Sequence, residues 1–405
     1  MQKRFVPDEG GVFPEWEEVT LGDILEINPK TEEKIADEFY YADLASINNG
    51  VFAHGAAINH NEAPGRAQRV VHIDDVLFQS VNAENLGHYH YTKDKELDKQ
   101  FVASTGFFLL RMKNGCNAFL YQLLFTKAFN QEVHKYSAGS IYPAVNITEF
   151  KKIKVRIPKS IEEQRKIAVA LAAYDEMIAV KTAKLEVWQE CKKRMVKEIF
   201  GRKKRFKDDG GREFPEWEEK TLGNVSTVKR GKGYAKKDLT DKGAPIILYG
   251  RLYTKYETKI ENVDTFADVQ KNSIVSIGGE VIIPTSGENS EDIARAAAVE
   301  QQGVLIGGDL CVIMPNKDMF DSTFLAYAIT YSKSHKDLVK KANGEIIAHL
   351  RVEDIKNLSV SLPCTEEQQK IVSFLAKIDN EIEIQKEFIK TYADGKRRMM
   401  RELIE

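Results

Sequence analysis

The chain carries one frame twice. Arg4–Phe5, Phe13–Pro14–Glu15–Trp16–Glu17–Glu18 and Thr20–Leu21–Gly22 return as Arg205–Phe206, Phe214–Pro215–Glu216–Trp217–Glu218–Glu219 and Thr221–Leu222–Gly223, each 201 residues later. Glu162–Glu163–Gln164–Arg165–Lys166–Ile167 with Asp175 returns as Glu366–Glu367–Gln368–Gln369–Lys370–Ile371 with Asp379, 204 residues later. Between these shared segments the halves diverge. Such a chain is expected to fold as two copies of one scaffold. A constant frame with variable filling suggests two unlike reading surfaces on a symmetric support.

At 405 residues, 42% hydrophobic and 30% charged, the chain has enough apolar mass for two sizeable cores and is not a disordered chain. No apolar run approaches the roughly 20 residues of a membrane span. The segment Met1–Gln2–Lys3–Arg4–Phe5–Val6–Pro7–Asp8 lacks an apolar leader core. Cys116, Cys191, Cys311 and Cys364 are scattered, as in a reduced cytoplasmic protein rather than a disulfide frame or zinc site. The net charge of −2 argues weakly against a simple DNA-coating protein. Its distribution is uneven. Lys192–Lys193–Arg194, Lys197, Arg202–Lys203–Lys204–Arg205 and Lys207 form a basic run, partly repeated by Lys396–Arg397–Arg398 and Arg401. The run at Arg202–Arg205 reads either as a DNA backbone contact or as a solvated linker.

Each half reads as a mixed α/β segment followed by one long helix. Strands are expected over 75–78, 106–110 and 154–157, and over 280–283, 310–314 and 358–362, the last three stopped by Pro284, Pro315 and Pro363. Helices are expected over 119–133 and 324–331. Ser160 with Glu163, and Thr365 with Gln368, fit capping boxes that open the long helices. An apolar seam at alternating spacings of four and three runs Ile167, Leu171, Tyr174, Ile178, Lys181, Leu185, Trp188, Lys192, Met195, Ile199. It recurs as Ile371, Leu375, Ile378, Ile382, Gln385, Ile389, Tyr392, Lys396, Met399, Leu403. The polar breaks Lys181/Gln385 and Lys192/Lys396 fall at equivalent places, as expected of helices that select each other. The alternative is that each helix packs only on its own domain. Pairing under a pseudo-twofold would be antiparallel, giving a bar roughly 48 Å long with a globular domain at each end. Trp16 and Trp217 would anchor each domain to a long helix. Duplex DNA repeats about every 34 Å, so a stiff bar with unlike ends suits a bipartite, asymmetric target.

These residues resemble a family. The duplicated opening (Phe13–Gly22, Phe214–Gly223), the helix openings (Pro158–Ile167, Pro363–Ile371), the basic-Met helix ends (Lys193–Met195, Arg397–Met399) and the pieces Ala63–Pro64–Gly65–Arg66–Ala67, Tyr249–Gly250–Arg251–Leu252–Tyr253–Thr254 and Gly307–Gly308–Asp309–Leu310 are together similar to the specificity subunit of type I restriction–modification enzymes. The resemblance implies an α+β fold: two mixed α/β target-recognition domains joined by two long antiparallel coiled-coil helices, with a pseudo-twofold internal repeat. The expected boundaries are 1–159 and 202–364 for the recognition domains, and 160–201 and 365–405 for the spacer helices. The implied partners are double-stranded DNA, two modification (methyltransferase) subunits and restriction (translocase–nuclease) subunits, with no membrane. The chain itself would be non-catalytic and carry no cofactor. S-adenosylmethionine, ATP and magnesium would belong to the partner subunits, as would any flipping of a methylated adenine. The sequence has neither an Asp/Asn-Pro-Pro-Tyr/Phe methyltransferase motif nor a Gly-x-x-x-x-Gly-Lys-Ser/Thr loop, which disfavours a single-chain fused restriction–methylation enzyme. A coiled-coil DNA clamp without sequence reading would have similar filling in both halves.

Candidate DNA-binding residues follow from the chemistry of phosphate and base edges. Arg230, Lys232, Tyr234, Lys236 and Lys237 surround two glycines that let backbone approach phosphate; the plain alternative is a solvated loop. Arg251, Tyr253 and Lys255 alternate, so a strand would present them on one face, for DNA or simply as a polar sheet face. In the first half, Arg66, Gln68 and Arg69 sit in a Pro–Gly loop, and Gln79, Ser80, Asn82 and Asn85 follow a strand. Arg suits guanine and Asn or Gln suits adenine, although Asn and Ser are also ordinary turn residues. His88 and His90 would share one strand face, but no further ligands stand nearby, so no metal site is expected.

Overall fold

The computed structural model describes residues 4–48, 50–53, 55–137, 143–342 and 348–405; residues 1–3 of the segment read as lacking a leader lie outside these. The chain divides into two compact units, Met1–Thr182 with Glu387–Glu405, and Ala183–Lys386. Two long helices, Ile161–Phe200 and Thr365–Leu403, contribute to both. Each unit therefore holds the start of one long helix and the end of the other.

In the first unit the strand Val76–Gln79 is buried on both faces and pairs antiparallel with Phe107–Met112. Alternation sorts the side chains between two cores. Val76, Phe78, Phe108 and Leu110 face a core that also takes Ile167, Leu171, Met400 and Leu403 from the long helices. Leu77, Phe107 and Leu109 face a second core with Ala42, Val71, Tyr89 and Phe101. The second unit repeats this division. Val281, Ile283, Cys311 and Ile313 meet Met195, Ile199, Ile371 and Leu375, whereas Ile282, Leu310 and Val312 meet Ile247, Ile260 and Val299. One core ties each domain to the helices and the other supports the divergent part. Each fully buried Leu, Ile or Phe contributes roughly 1.5–3 kcal/mol, so both cores matter.

The sheets around these strands differ between units. The first has orders Leu25–Ile27, Phe107–Met112, Val76–Gln79, Tyr89–His90 and Ile58–Asn59, Glu38–Ala42, Gln100–Ser104, Ala67–Val71. The second has a five-stranded sheet, Ser226–Arg230, Leu310–Pro315, Glu280–Pro284, Ala297–Val299, Lys259–Ile260, beside a four-stranded one. The repeated Glu-Glu segments form matching ribbons, Glu17–Thr20 with Lys154–Ile157 and Glu218–Thr221 with Ser359–Leu362.

The seam is as spaced. Every seam residue from Ile167 to Ile199 and from Ile371 to Leu403 is at least half-buried. In the first unit Tyr174 meets Tyr392 edge-on at 6.5 Å, and Lys181 lies 4.2 Å over the Phe388 ring. The start of one helix thus lies along the end of the other, antiparallel. The lysine breaks are answered: Lys396 bonds Asp175 at 2.6 and 2.8 Å in the first unit, and Lys192 bonds Asp379 at 2.7 Å in the second, whereas Gln385 is buried with its Oε1 unpartnered among the described residues. Burial works against a charged Lys192, but Tyr331 and Asp379 outweigh it and its pKa is raised.

Three local expectations are corrected. Residues 119–133 form not one helix but two, Asn117–Leu123 and Lys127–Tyr136; Thr126 breaks the run because its hydroxyl caps the second. The capping boxes do not close. Ser160 accepts from the Glu163 amide at 3.4 Å, but the Glu163 carboxylate is taken by Arg4. Gln368 is fully buried and bonds the Pro363 and Met319 carbonyls and the Asp321 amide instead. Arg251, Tyr253 and Lys255 are not on a strand, because Arg251–Thr254 is a helical turn.

Candidate nucleic-acid interface

In the second unit, Arg230 ends the strand Ser226–Arg230 and opens an exposed loop with Lys232, Lys236 and Lys237. A side chain on Gly231 would strike the Gly307 carbonyl, so this glycine permits the loop to lie against the 307–309 backbone. Arg230 is held there by the Gly308 carbonyl (3.3 Å) and Asp309 (3.5 Å). Tyr234 turns inward: its hydroxyl bonds the Asp268 carbonyl and Ser273, and the ring is buried. It anchors the loop, leaving four cations outward.

The helical turn separates Tyr253 from Arg251 and Lys255, since residues two apart on a helix do not share a face. Arg251 and Lys255 both pair with Asp264, whose carboxyl is pulled down to about 2 by Lys255 and then Arg251. Those two cations are thus largely neutralised within the domain. The Tyr253 hydroxyl donates to the Ser286 carbonyl at 2.8 Å.

In the first unit, Arg66 is exposed at the Pro64–Gly65 turn, and Gln68 bonds back to the Gly65 carbonyl at 2.6 Å. Arg69 lies on the strand Ala67–Val71, half-buried, and burial lowers its pKa. Gln79 and Ser80, candidates for base contact, are buried. Gln79 donates to the Val81 and Asn82 carbonyls, and Ser80 donates to the Gly106 carbonyl. They shape the strand exit because its amides and carbonyls need partners away from water. Asn82 adopts φ +50°, and its carbonyl accepts from the amide of exposed Asn85. His88 and His90 are buried, the first stacked on Phe78 at 4.8 Å and pushed down to about 3 by burial, the second bonded to Asp74. Among the described residues no group of three His, Cys, Asp or Glu is placed to hold a metal ion.

Both units build the strand exit on one backbone pattern. The Ser80 amide donates to the Gly106 carbonyl and the Val145 amide to the Ser80 carbonyl. Correspondingly, the Thr285 amide donates to the Asp309 carbonyl and the Leu350 amide to the Thr285 carbonyl. Val81 then bridges Ala144 in one unit, and Ser286 pairs with His349 in the other. The main chain is shared and the side chains are not.

The family model described as type I restriction modification DNA specificity domain matches residues 14–187 and again 215–391. The chain belongs to that family. A putative type I restriction enzyme MjaX specificity subunit from Methanocaldococcus jannaschii is 26% identical over 431 residues, covering 100% of this chain and 96% of its own. The MjaVIII specificity subunit of the same organism is 24% identical, covering 100% and 95%. Among solved structures, the type I restriction–modification S subunit from M. genitalium shares the fold at a TM-score of 0.62 and 14% identity, with 96% of each chain covered. A chain from a study of assembly and conformational transition of the type I R-M system matches at 0.52 and 21%, also with 96% of each covered. As a type I specificity subunit the chain is not the catalyst; catalysis lies in partner subunits. No helix among the described residues is long and apolar enough to cross a membrane.

The specificity subunit also uses its repeated residues in a way that spacing alone does not reveal. Arg4 grips the fully buried Glu163 through two bonds (2.9 and 2.8 Å), and Arg205 grips the fully buried Glu367 in the same way (3.0 and 2.8 Å). The same guanidinium bonds the Pro14 carbonyl in one unit and the Pro215 carbonyl in the other. Arg205 is therefore a clamp rather than a solvated linker residue, and Arg202 likewise bonds Glu219 and Ser361. The signal was present, since both partners are duplicated, but only the fold joins them across about 160 residues.

Proposed function

We propose that this chain selects the DNA sequence for a type I restriction–modification complex. Residues 1–159 and 202–364 each read one half-site of a bipartite, asymmetric duplex target. The long helices at 160–201 and 365–405 seat two modification subunits and, through them, restriction subunits. S-adenosylmethionine, ATP and magnesium act in those partners. The observation that carries this reading is the shared main-chain frame at the strand exits, filled by different side chains in each unit. A clamp blind to sequence has no use for that difference. The exposed Arg66 and the Arg230, Lys232, Lys236, Lys237 loop would supply phosphate contacts, and binding should then weaken steeply with salt.

The test has two arms. The purified chain alone, given S-adenosylmethionine and DNA, is expected to show no methylation. Co-expressed with its modification subunit in a methylation-free host, it is expected to direct methylation to one two-part, non-palindromic motif across the genome. Turnover by the chain alone, or methylation without such a motif, would reject the proposal.

A further inference from the structure

We infer that His349, oriented by Ser286, reads a base-edge acceptor in the half-site of the second domain; this rests on the DNA-selecting role above. The two units offer an internal control. At the strand exits the same backbone hydrogen bonds are made, so the fold is served equally in both. The facing pair is Val81 and Ala144 in the first unit, neither of which can hydrogen-bond through its side chain. In the second it is Ser286 and His349. The polar pair is therefore not required by the frame that holds it.

Its geometry suits recognition. Ser286 Oγ lies 3.2 Å from His349 Nδ1, while His349 as a whole is exposed. We take the Ser286 hydroxyl as the donor to Nδ1, which selects the tautomer that carries the ring proton on Nε2. That leaves a directed donor on a ring whose rotation is limited. Guanine N7 and O6, adenine N7 and thymine O4 are acceptors in the major groove. Tyr253 buttresses the site by donating to the Ser286 carbonyl, and Tyr249, 39% exposed, packs edge-on against Tyr253 at 6.2 Å. A Cβ at Gly287 would strike Ile293 and the Tyr253 hydroxyl, so the chain can pass beside Ser286 only as glycine. Tyr253 thus belongs to this cluster rather than to Arg251 and Lys255.

The experiment maps methylated positions genome-wide for the chain co-expressed with its modification subunit, comparing wild type, His349→Ala, His349→Gln and Ser286→Ala, with melting of each purified variant as control. If the wild-type chain yields no bipartite motif, the broader reading has failed, independently of His349. Given that motif, His349→Ala is expected to relax one position of one half by about tenfold, leaving the other half unchanged. Ser286→Ala should relax the same position less. An unchanged motif overturns the inference, as does relaxation in both halves. Uniformly weaker methylation at an unchanged motif also overturns it, because it would mean a phosphate contact. If His349→Ala abolishes methylation, His349→Gln, which retains a donor, must restore it at the original position. Failure to restore overturns the proposal when melting is unchanged, and when melting is lowered the Ser286→Ala motif decides.

Discussion

At the scale of single residues, two arginines explain why the repeat begins where it does. A carboxylate with no exposed surface is costly unless paired and hydrogen-bonded. Among the described residues, Glu163 and Glu367 meet that condition through Arg4 and Arg205 and their neighbours. The neighbours differ: Trp217 Nε1 donates to Glu367 at 3.0 Å, whereas Trp16 Nε1 is buried without a partner among the described residues. Arg4→Ala is therefore expected to destabilise its unit by about 3 kcal/mol, the cost of stranding a buried charge, and Arg205→Ala to cost measurably less. Chemical denaturation of the two variants checks both the size and the order; equal losses would mean that the tryptophan bond contributes nothing. The repeat made these residues visible, but not their pairing. In the same way Gln79 and Ser80 looked like reading residues because a groove code and a strand exit favour the same side chains. Burial, which the sequence does not print, separates the two.

At the scale of elements, the heptad spacing was legible because apolar side chains at that period have one way to leave water. What it did not show was the matching of volumes across the seam. In the first unit Tyr174 lies over Gly395, where a Cβ would come within 2.8 Å of the ring. Positions 204 residues away carry Ile378 and Cys191, which share a core in the second unit. A large residue faces none in one unit, and the equivalent positions carry a medium and a small residue in the other. Gly395→Cys alone is expected to destabilise by crowding Tyr174, despite the better helix propensity, and Tyr174→Ile alone by leaving a void. The double variant recreates the pairing of the second unit. A denaturation double-mutant cycle should then give a favourable coupling of about 1 kcal/mol. Additive losses would show that the two positions do not fit each other as a pair. The 119–133 run divides into two helices for a related reason, since apolar period alone does not register a threonine that caps a new start.

At the scale of the whole chain, the division of each unit into two cores makes the divergent parts separable. The core that takes in the long helices uses one face of the central strands, and the other face supports the divergent sheet. Exchange of residues 20–155 keeps Arg4, Trp16 and Glu163, and therefore the clamp, while replacing the strand exit at Val81 and Ala144. Val76, Phe78, Phe108 and Leu110 must still meet Ile167 and Leu171, so the donor segment has to carry apolar residues at those alternating places. With that condition met, the chimera co-expressed with the modification subunit should direct methylation to a motif changed in one half only. The half assigned to Ser286 and His349 should be retained base for base. A motif changed in both halves would mean that the domains do not read independently, and a motif changed in neither would place recognition outside the exchanged residues.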